Sequence, residues 1–311
     1  MGTTIVTGGA GFIGSHVVDR LLADEQDVVV VDDLSTGERR RVSDEADLEV
    51  LDLVDFEALR KVVTAAEPEA ILHLGAQAVV TVSVADPWFD CEVNVKGTLN
   101  VLQVARERRI PIVFTSTGGA LYGDDAPIPT PETQPPAPLA PYGASKWAAE
   151  AYVQTWAAAD GLPHAICRLG NVYGPRQSPH GEAGVVAIFS HRLWSGKPAT
   201  LFGDGKPTRD YVHVADVAEA LVRATGVQGV FNISAGREVP VSEIYELIRA
   251  AAGVEIEPEL APLREGELER SGLDPTLAGE KLDWRASIPL DEGVPETYRA
   301  LIAEFEDSGK D

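Results

Sequence analysis

Apolar runs alternate with helical patterns along the first half of this 311-residue chain. The apolar runs predict strands at Thr4–Thr7, Val28–Asp32, Glu49–Leu51, Ala70–Leu74, Ile112–Ser116 and His164–Leu169. Between them, helical periodicity predicts helices near residues 12–23, 55–66, 91–108 and 143–159. Strands that alternate with helices form parallel βαβ units, and a strand that is apolar on both faces is covered by helices on both sides. The pattern therefore predicts an α/β fold with a doubly wound parallel sheet.

After Leu169 the pattern changes, because the apolar runs become shorter and Gly, Pro and His cluster between Gly170 and Gly184. We expect helices near residues 184–195, 216–225, 242–252 and 291–305, and strands near 209–214 and 229–233. No Ser/Gly-rich linker separates this part from the first half. We therefore expect a smaller C-terminal α/β domain that packs against the main sheet.

Acidic residues outnumber basic ones by 49 to 26, which gives a formal net charge of −23. Such a surface repels nucleic acids and anionic membranes, so we expect neither as a partner. Only seven of the cations are Lys, and the other 19 are Arg. An acidic, Lys-poor surface favours a halophilic protein that stays soluble in high salt, and an acidic mesophilic protein is the alternative.

Three features favour a cytoplasmic location. No run reaches the ~18 apolar residues that a membrane span needs. The first predicted strand begins too early to leave room for a secretory signal. The two cysteines, Cys91 and Cys167, suit a reducing compartment, and no spacing of Cys, His or carboxylates indicates a metal site.

A glycine-rich turn, Gly8–Gly14, follows the first predicted strand and opens the first predicted helix. Glycines permit a tight turn and a close approach to a pyrophosphate, and the helix N-terminus offers unpaired N–H groups. Asp32 ends the second strand, where a carboxylate can accept hydrogen bonds from the adenosine ribose. Because that carboxylate would repel a 2′-phosphate, the sequence predicts NAD rather than NADP.

Tyr142 and Lys146 are four residues apart and share one face of a predicted helix. A free tyrosine, with a pKa of about 10, is a poor base at neutral pH. A nearby ammonium and the positive nicotinamide of oxidised NAD favour the phenolate, which can take a proton from an alcohol as hydride leaves its carbon. We therefore predict that this pair carries the catalysis.

Several motifs along the chain together resemble one family. They are Thr7–Gly14, Asp32, Asp52-Leu53, His73–Ala76, Tyr142–Lys146, Arg168–Pro175, Phe202–Gly205, Arg209–Val214 and Leu263–Glu267. In this order they resemble the extended short-chain dehydrogenase/reductases that act on nucleotide sugars, over nearly the whole chain. Within that family the chain is most similar to UDP-glucose 4-epimerases, and Arg176–Val186 resembles a bacterial and archaeal branch of them.

The resemblance implies a division of labour between two domains. Residues 1–168, with 211–237 returning to them, would form a Rossmann-type NAD-binding domain, and residues 169–210 and 238–311 would bind the nucleotide sugar. The implied cofactor contacts are Gly8, Gly11, Phe12, Ile13, Asp32, Asp33, Asp52, Leu53, Leu74, Gly75, Ala76, Gln77, Ser116, Tyr142 and Lys146.

The resemblance also implies contacts with a UDP-sugar. They are Ser83, Thr117, Asn171, Arg209, Arg264, Glu267 and Ser271. Arg209 and Arg264 match arginines that contact the diphosphate, a role that suits the bidentate guanidinium, and surface ion pairs are the alternative for each. For Ser83 the alternative is a helix cap before Asp86-Pro87.

A catalytic triad of a hydroxyl, Tyr142 and Lys146 is a further implication of the resemblance. Relatives carry that hydroxyl at the position of Gly118, so this sequence departs from the family pattern. The nearest hydroxyls belong to Thr117 and Ser116, and the two glycines that follow leave the loop free to readjust. We assign the hydroxyl to Thr117, with Ser116 as the alternative. A role for both in capping the strand end remains open.

The pair Gly118-Gly119 also bears on the reaction. Related sugar dehydratases carry an acid and a base here, and decarboxylating relatives use a Glu that this chain lacks. The remaining groups suffice to oxidise C4 and reduce it again, so the resemblance implies a UDP-glucose 4-epimerase that regenerates its NAD through a 4-keto sugar. An NAD(P)-dependent nucleotide-sugar reductase or dehydratase, and a catalytically silent nucleotide-binding protein, are the alternatives.

Two finer expectations concern assembly and substrate breadth. Relatives pair the helices that correspond to residues 91–108 and 143–159 across a two-fold axis, so we expect a homodimer. Ala148, Ala151, Tyr152 and Thr155 are its expected contacts. Ser271 matches a position that walls the sugar pocket in related epimerases, and its small size predicts room for N-acetyl sugars; a one-residue slip would put Arg270 there instead.

Overall fold

The computed structural model describes residues 2–179, 184–263 and 268–308. Its central feature is a seven-stranded sheet in which all neighbouring strands are parallel. In chain order the strands are β1 (Thr3–Thr7), β2 (Asp27–Asp32), β3 (Asp47–Val50), β4 (Ala70–His73), β5 (Ile112–Thr117), β6 (Ala165–Leu169) and β10 (Gly229–Ile233). Their spatial order is β10-β6-β5-β4-β1-β2-β3. This arrangement confirms the predicted doubly wound parallel sheet.

Helices cover both faces of the sheet. They are α1 (Phe12–Ala23), α2 (Phe56–Ala66), α3 (Val80–Ala85), α4 (Pro87–Cys91), α5 (Gly97–Arg108), α6 (Pro141–Asp160) and α8 (Val214–Arg223). One hydrophobic core lies between the sheet and α1 with α8, and a second lies between the sheet and α2, α5 and α6. Each face of the sheet therefore buries its own set of apolar side chains, which explains why strands such as β2 are apolar on both sides.

Most of the remaining elements form a smaller C-terminal part with its own core, whereas α10 (Thr276–Leu282) packs on β10 and α8. The elements of the smaller part are β7 (Asn171–Tyr173), α7 (Val185–Trp194), β8 (Thr200–Phe202), β9 (Thr208–His213), β11 (Glu238–Pro240), α9 (Val241–Ala252), β12 (Glu259–Ala261) and α11 (Leu290–Ser308). Strands β11, β9 and β7 form a three-stranded sheet, and β12 pairs with β8. Helices α7, α9 and α11 pack on one another around a third hydrophobic cluster.

Most differences from the sequence-based expectations concern short elements. Helices α3, α4 and α10 and strands β7, β8, β11 and β12 have three to seven residues each, too few to establish a period. The helix expected near residues 91–108 is α4, a π-helical turn at Glu92–Lys96 and α5 in succession. A π-helical turn inserts an extra residue into a helix, and such turns are frequent at functional sites.

Within the described ranges, none of the helices combines the length and the apolar character that a bilayer crossing requires. The same part of the chain holds no group of three or more His, Cys, Asp or Glu side chains arranged to bind a metal ion.

Candidate active site

The glycine-rich turn joins β1 to α1. Gly8 has a φ of +71°, in the left-handed region that favours glycine. A Cβ atom on Gly8 would lie 2.7 Å from the backbone N of Gly75, and a Cβ on Gly14 would overlap the carbonyl oxygen of Gly8. At Gly11 the only described atom within 4 Å of an added Cβ would be the Gly8 oxygen, at 3.2 Å. The turn is therefore packed against backbone atoms at Gly8 and Gly14. It is open at Gly11, next to the first-turn N–H groups of α1.

Asp32 ends β2 and is 8% exposed. Its carboxylate accepts hydrogen bonds from the backbone N–H of Ala10 at 3.0 Å and of Leu34 at 2.9 Å. Burial raises its pKa, and these two bonds oppose the rise. The neighbouring Asp33 is exposed, and it accepts hydrogen bonds from the backbone and the hydroxyl of Ser35. Asp32 therefore ties the glycine turn to the loop after β2, whereas Asp33 closes a local turn.

The other predicted cofactor residues surround the same edge of the sheet. Asp52 is exposed and its carboxylate accepts the N–H of Val54 at 2.9 Å. Leu53 is buried, and a Cβ atom added to Gly75 would lie 2.7 Å from Leu53 Cδ1. Leu74, Gly75 and Ala76 follow β4 and are half-buried. Gln77 is buried, and its side chain is held within the protein, because its amide donates to Asp90 at 2.8 Å and its oxygen accepts the N–H of Val79.

The three predicted triad residues meet between the end of β5 and the start of α6. Tyr142 lies in the first turn of α6, and its hydroxyl forms a side-chain hydrogen bond with Thr117, the last residue of β5. Lys146 is 4% exposed, and its Nζ donates to the backbone oxygen of Thr115 at 3.1 Å. Its Nζ also lies 4.8 Å from the centre of the Phe114 ring. The i, i+4 spacing therefore presents both side chains to the end of the central strand.

Burial sets the protonation of this pair. Burial raises the pKa of Tyr142 to about 12; the negative charge of Asp90 adds to the rise, and the hydrogen bond with Thr117 opposes it. Burial lowers the pKa of Lys146 to about 8, against the opposing charges of Asp90 and Glu150. At pH 7 Tyr142 is thus a phenol and Lys146 still carries its proton. A further positive charge beside the phenol is required to make Tyr142 a base.

The two candidate hydroxyls are in different situations. Thr117 Oγ1 accepts the N–H of Ala120 at 3.2 Å in addition to its bond with Tyr142. Ser116 is 4% exposed, and its Oγ has no hydrogen-bond partner among the residues that the structure describes. Buried hydroxyls are nearly always paired, so an orphaned one at the end of a central strand fits a group that a bound ligand satisfies.

Ser83 is fully buried and its hydroxyl is bonded within the protein. Its Oγ accepts the backbone N–H of Tyr142 at 3.1 Å and donates to the Val80 oxygen at 2.7 Å. This bond serves a first-turn N–H of α6 that has no helical acceptor. The helix cap before Pro87 is made by Asp86 itself, which accepts the N–H of Phe89. The structure thus gives Ser83 a link from α3 to the first turn of α6, and the sugar contact stays a prediction from the sequence.

A buried polar network that the sequence analysis missed lies next to Tyr142. Asp90, on α4, is 1% exposed and accepts hydrogen bonds only from two amides, Gln77 at 2.8 Å and Asn94 at 3.0 Å, among those described. Asn94, in the π-helical turn, also donates to Ser145 Oγ at 3.1 Å, and that hydroxyl donates to the Tyr142 oxygen at 3.0 Å. The signal in the sequence was an Asp and an Asn four residues apart in a segment otherwise expected to be an ordinary helix.

Three of the predicted substrate residues, Asn171, Arg209 and Ser271, lie in the smaller C-terminal part of the structure. Asn171 begins β7, and Arg209, on β9, is half-buried with its Nη1 donating to the Thr208 oxygen at 2.8 Å. Ser271 lines a cavity together with Gly118. Arg270 also borders this cavity, but its guanidinium is 62% exposed and pairs with the carboxylate of Glu238. Two further predicted contacts, Arg264 and Glu267, lie outside the described residues.

This arrangement fits a dinucleotide. The turn is open at Gly11, where a Cβ would meet only one backbone oxygen among the described atoms, so a diphosphate can approach the N-terminus of α1. Asp32 provides a carboxylate at the end of β2, and the orphaned hydroxyl of Ser116 lies at the end of β5 beside Lys146. A buried carboxylate and a buried hydroxyl thus stand at the ends of β2 and β5, on either side of β1, and of the two only Ser116 lacks a described hydrogen-bond partner.

Comparisons with known proteins agree with this geometry. Residues 4–234 match the model of the NAD dependent epimerase/dehydratase family. The chain is 46% identical over 303 residues to a UDP-glucose 4-epimerase of Mycolicibacterium smegmatis, covering 94% of this chain and 96% of that protein. A solved UDP-glucose 4-epimerase of Thermotoga maritima, with UDP-glucose, has a TM-score of 0.95 at 41% identity, covering 97% and 99%. The Thermus thermophilus UDP-glucose 4-epimerase in complex with NAD has a TM-score of 0.90 at 43% identity, covering 96% and 99%.

Proposed function

Because the chain belongs to the NAD dependent epimerase/dehydratase family, we propose that it interconverts UDP-glucose and UDP-galactose and uses NAD as a bound cofactor. The observation that carries the proposal is the hydrogen bond between Tyr142 and Thr117, with buried Lys146 one turn along the same helix. This constellation lies at the end of β5, and the residue after Thr117, Gly118, lines a small cavity with Ser271. It supports proton transfer to and from an alcohol.

We assign the cofactor contacts from the residues that border the glycine turn. The first-turn N–H groups of Phe12 and Ile13 suit the diphosphate, and Asp32 suits the adenosine ribose. Ser116 and Lys146 lie at the end of β5, where the orphaned hydroxyl supports a contact with the nicotinamide end. When bound, NAD supplies a reversible acceptor for the hydride of the sugar C4.

The residues of the chain supply the proton chemistry. Tyr142 takes the proton of the C4 hydroxyl while C4 is oxidised, and returns it when C4 is reduced on the other face. Its pKa of about 12 must fall for this role, and a positive charge beside the ring lowers it. Thr117 donates a hydrogen bond to the phenolate, and the ammonium of Lys146 holds the local charge balance. Because the proton is returned, no external acid or base is consumed.

The substrate side needs cations, because the chain has a formal net charge of −23 and the substrate carries a diphosphate. We propose that Arg209 binds the diphosphate and that Asn171 contacts the substrate beside it, on the adjacent strands β9 and β7. Arg264 and Glu267 remain predictions from the sequence. Bidentate Arg contacts are well suited to phosphate oxygens.

The test of the proposed function uses protein purified without added cofactor. Incubation with UDP-galactose should produce UDP-glucose, without net change in nicotinamide absorbance, and denaturation should release NAD. Stoichiometric oxidation of added NADH during turnover would favour a reductase instead. Absence of any turnover, with NAD bound, would favour the catalytically silent alternative.

The choice of triad hydroxyl is tested by two single variants. Thr117→Ala should lower kcat more than Ser116→Ala, because only Thr117 is bonded to Tyr142. Ser116→Ala should mainly weaken cofactor retention. The reverse ranking of kcat would assign the catalytic hydroxyl to Ser116.

Substrate breadth follows from the wall of the cavity. Ser271 borders it beside Gly118, and Arg270 is engaged with Glu238. Because serine is small, we propose that position 271 does not exclude an N-acetyl group. UDP-N-acetylglucosamine should then be epimerised as well as UDP-glucose. Comparison of kcat/KM for both substrates in wild type and Ser271→Tyr checks this, since the tyrosine should reject only the larger substrate.

We also propose a homodimer through α6 and the helices beside it. Trp88 is 85% exposed, and Val84, Trp147 and Tyr152 are 63%, 45% and 39% exposed, on α4, α3 and α6. Such a concentration of exposed apolar side chains supports an interface, to which Ala148, Ala151 and Thr155 would contribute. Light scattering in molar salt should give a dimer, because salt screens the repulsion between acidic subunits. A monomer under those conditions contradicts the proposal.

Three broader properties are proposed on sequence grounds. They are a cytoplasmic location, adaptation to high salt, and the division into an NAD-binding domain of residues 1–168 with 211–237 and a substrate-binding domain of 169–210 with 238–311. The salt proposal predicts that the free energy of unfolding rises with KCl concentration. A protein equally stable in dilute buffer would count against it.

A further inference from the structure

Leu273 occupies the space beside Gly118. It lies in the segment between β12 and α10 and is 2% exposed. A Cβ atom on Gly118 would overlap Leu273 Cδ1 and would lie 2.9 Å from Leu273 Cδ2. A Cβ on the next residue, Gly119, would meet no described atom within 4 Å. The restriction is therefore specific to position 118 and comes from a residue more than 150 positions away in the chain.

The backbone of Leu273 is anchored on both sides. Its N–H donates to Oδ2 of Asp210 at 3.1 Å, and Asp210 is itself 1% exposed. The flanking residues pair with Thr130, whose N–H donates to the Gly272 oxygen and whose oxygen accepts the N–H of Asp274, both at 2.9 Å. The side chain packs with Leu121 and Tyr122 in a small cluster of its own. The backbone of Leu273 is therefore fixed by buried hydrogen bonds, and its side chain is confined by Leu121 and Tyr122.

The turn that Leu273 contacts carries the hydroxyl of the triad. Gly118 donates its N–H to the Leu169 oxygen at 2.8 Å, and Thr117 Oγ1 accepts the N–H of Ala120 at 3.2 Å. With position 118 filled from outside, the turn is held with Thr117 directed at Tyr142.

We infer that Leu273 is a positioning residue of the active site: it excludes a side chain from position 118 and thereby fixes the hydroxyl that reaches Tyr142 at Thr117. The inference rests on the proposed function, in which Tyr142 is the base. It makes Leu273 and Gly118 one coupled unit, although neither supplies a reacting group.

The principal experiment moves the hydroxyl by one residue. Thr117→Ala should lower kcat about 10²-fold, the lower end of what acid–base assistance contributes. Adding Gly118→Ser supplies a hydroxyl that Leu273 leaves no room for, so kcat should not recover. Adding Leu273→Ala as well should raise kcat at least about tenfold above that double variant, a small part of the same contribution. The matched control, Thr117→Ala with Leu273→Ala, has the space beside position 118 but no hydroxyl there, so its kcat should stay low.

Two results would overturn the inference. One is recovery of kcat in Thr117→Ala/Gly118→Ser while Leu273 is intact. The other is a folded, NAD-loaded triple variant whose kcat does not exceed that of its control. A second measurement covers a triple variant that fails to fold. In Leu273→Ala alone, a weakened Thr117–Tyr142 bond should move the acidic limb of the kcat profile to higher pH, and Leu273→Met should restore it. A lower melting temperature with an unmoved profile would reduce Leu273 to a packing residue.

Failure of the proposed function is separable from failure of this inference. Wild-type protein that does not convert UDP-galactose refutes the function. The structure of the Leu273→Ala variant still tests Leu273 in that case. The Oγ1 of Thr117 should lie farther from the Tyr142 hydroxyl than in wild type, and an unchanged distance would refute the inference.

Discussion

Two buried cations near helix α6 have opposite surroundings. Lys146 donates to the oxygen of Thr115, and burial lowers its pKa to about 8. Arg168, on β6, is also buried, but its guanidinium makes contacts of 2.6, 3.0 and 3.2 Å with the carboxylate of Glu150. Burial opposes protonation there too, yet the bonds and charge of Glu150 raise the pKa of Arg168. One turn of α6 separates Lys146 from Glu150. Lys146 can therefore lose its proton near pH 8, while the neighbouring pair of Glu150 and Arg168 stays charged.

The fixed charge organises the surrounding loop. Arg168 Nη1 donates to the Tyr122 hydroxyl at 2.7 Å and to the Glu132 oxygen at 3.1 Å. Glu132 in turn accepts the N–H of Asn232, on β10, at 2.8 Å. The pair thus pins the long segment between β5 and α6 to the sheet. The comparison teaches that a buried cation with a full set of partners, such as Arg168, stabilises the scaffold. A buried cation without a carboxylate partner, such as Lys146 beside the phenol of Tyr142, suits the proposed proton transfer.

The sharpest way to break the chemical side of this comparison is Tyr142→Phe. Removal of the hydroxyl removes the base and little packing, so kcat should fall about 10²–10⁴-fold. Bound NAD, measured after denaturation, should be unchanged, and the melting temperature should stay close to that of wild type. Activity near the wild-type level would show that another group takes the proton.

The structural side is broken by Arg168→Met. This change leaves the carboxylate of Glu150, which is fully buried, without its cation, and should cost about 3–5 kcal/mol in the free energy of unfolding. Urea denaturation measures the loss. Glu150→Gln combined with Arg168→Met removes both charges and should be less destabilised than the single variant. A double variant with a lower free energy of unfolding than Arg168→Met would show that other groups stabilise the charge of Glu150.

Lys146→Met sharpens the comparison through pH. The pKa of Lys146 lies below that of a lysine in the unfolded chain, about 10.4, so the unfolded state binds more protons between pH 8 and 10. The stability contributed by this group therefore rises over that window and is absent below it. From pH 7 to 10, the free energy of unfolding of wild type should gain on the order of 3 kcal/mol relative to Lys146→Met. Parallel pH profiles would show that Lys146 titrates like a solvent-exposed lysine.

The smallest expected effect concerns Ser83→Ala. Loss of a buried hydrogen bond to a first-turn N–H of α6 should cost about 1 kcal/mol of stability. If Ser83 acts by holding Tyr142, kcat should fall while KM for the UDP-sugar stays constant. A selective rise in KM would instead support the sugar contact predicted from the sequence. Ser83→Thr keeps the hydroxyl and provides the matched control.

The sequence predicted the placement of those parts of the candidate site whose residues are close together in the chain. The order β1, glycine turn and α1 follows from a strand pattern and a glycine spacing, and Tyr142 and Lys146 follow from one helical turn. The seven-stranded sheet follows in the same way, because each strand except the mostly exposed β3 is marked by its own apolar run. In these cases the residues that matter are neighbours in the chain, so the pattern and the structure report the same contact.

The parts that the sequence left unpredicted depend on contacts between distant segments. The link from Ser83 to Tyr142 spans 59 positions, and the Asn94–Ser145 bond spans 51. No spacing rule relates such residues, since their meeting depends on how α3, α4 and the π-helical turn pack against α6. The contact of Leu273 with Gly118 belongs to the same class. Sequence patterns therefore located the proposed reacting groups but not the residues that hold them in place.

The proposed contact of Asp32 with the adenosine ribose couples cofactor preference to the shape of the glycine turn. Its carboxylate accepts the N–H groups of Ala10 and Leu34, and a Cβ on Gly37 would lie 2.7 Å from its Oδ1. A redesign that admits a 2′-phosphorylated cofactor has to remove this negative charge, and with it goes the acceptor that anchors two backbone segments. Asp32→Ala would therefore begin by weakening affinity for both cofactors. A route toward the phosphorylated form has to install a neutral acceptor, as in Asp32→Asn or Asp32→Ser, before it adds an arginine for the phosphate.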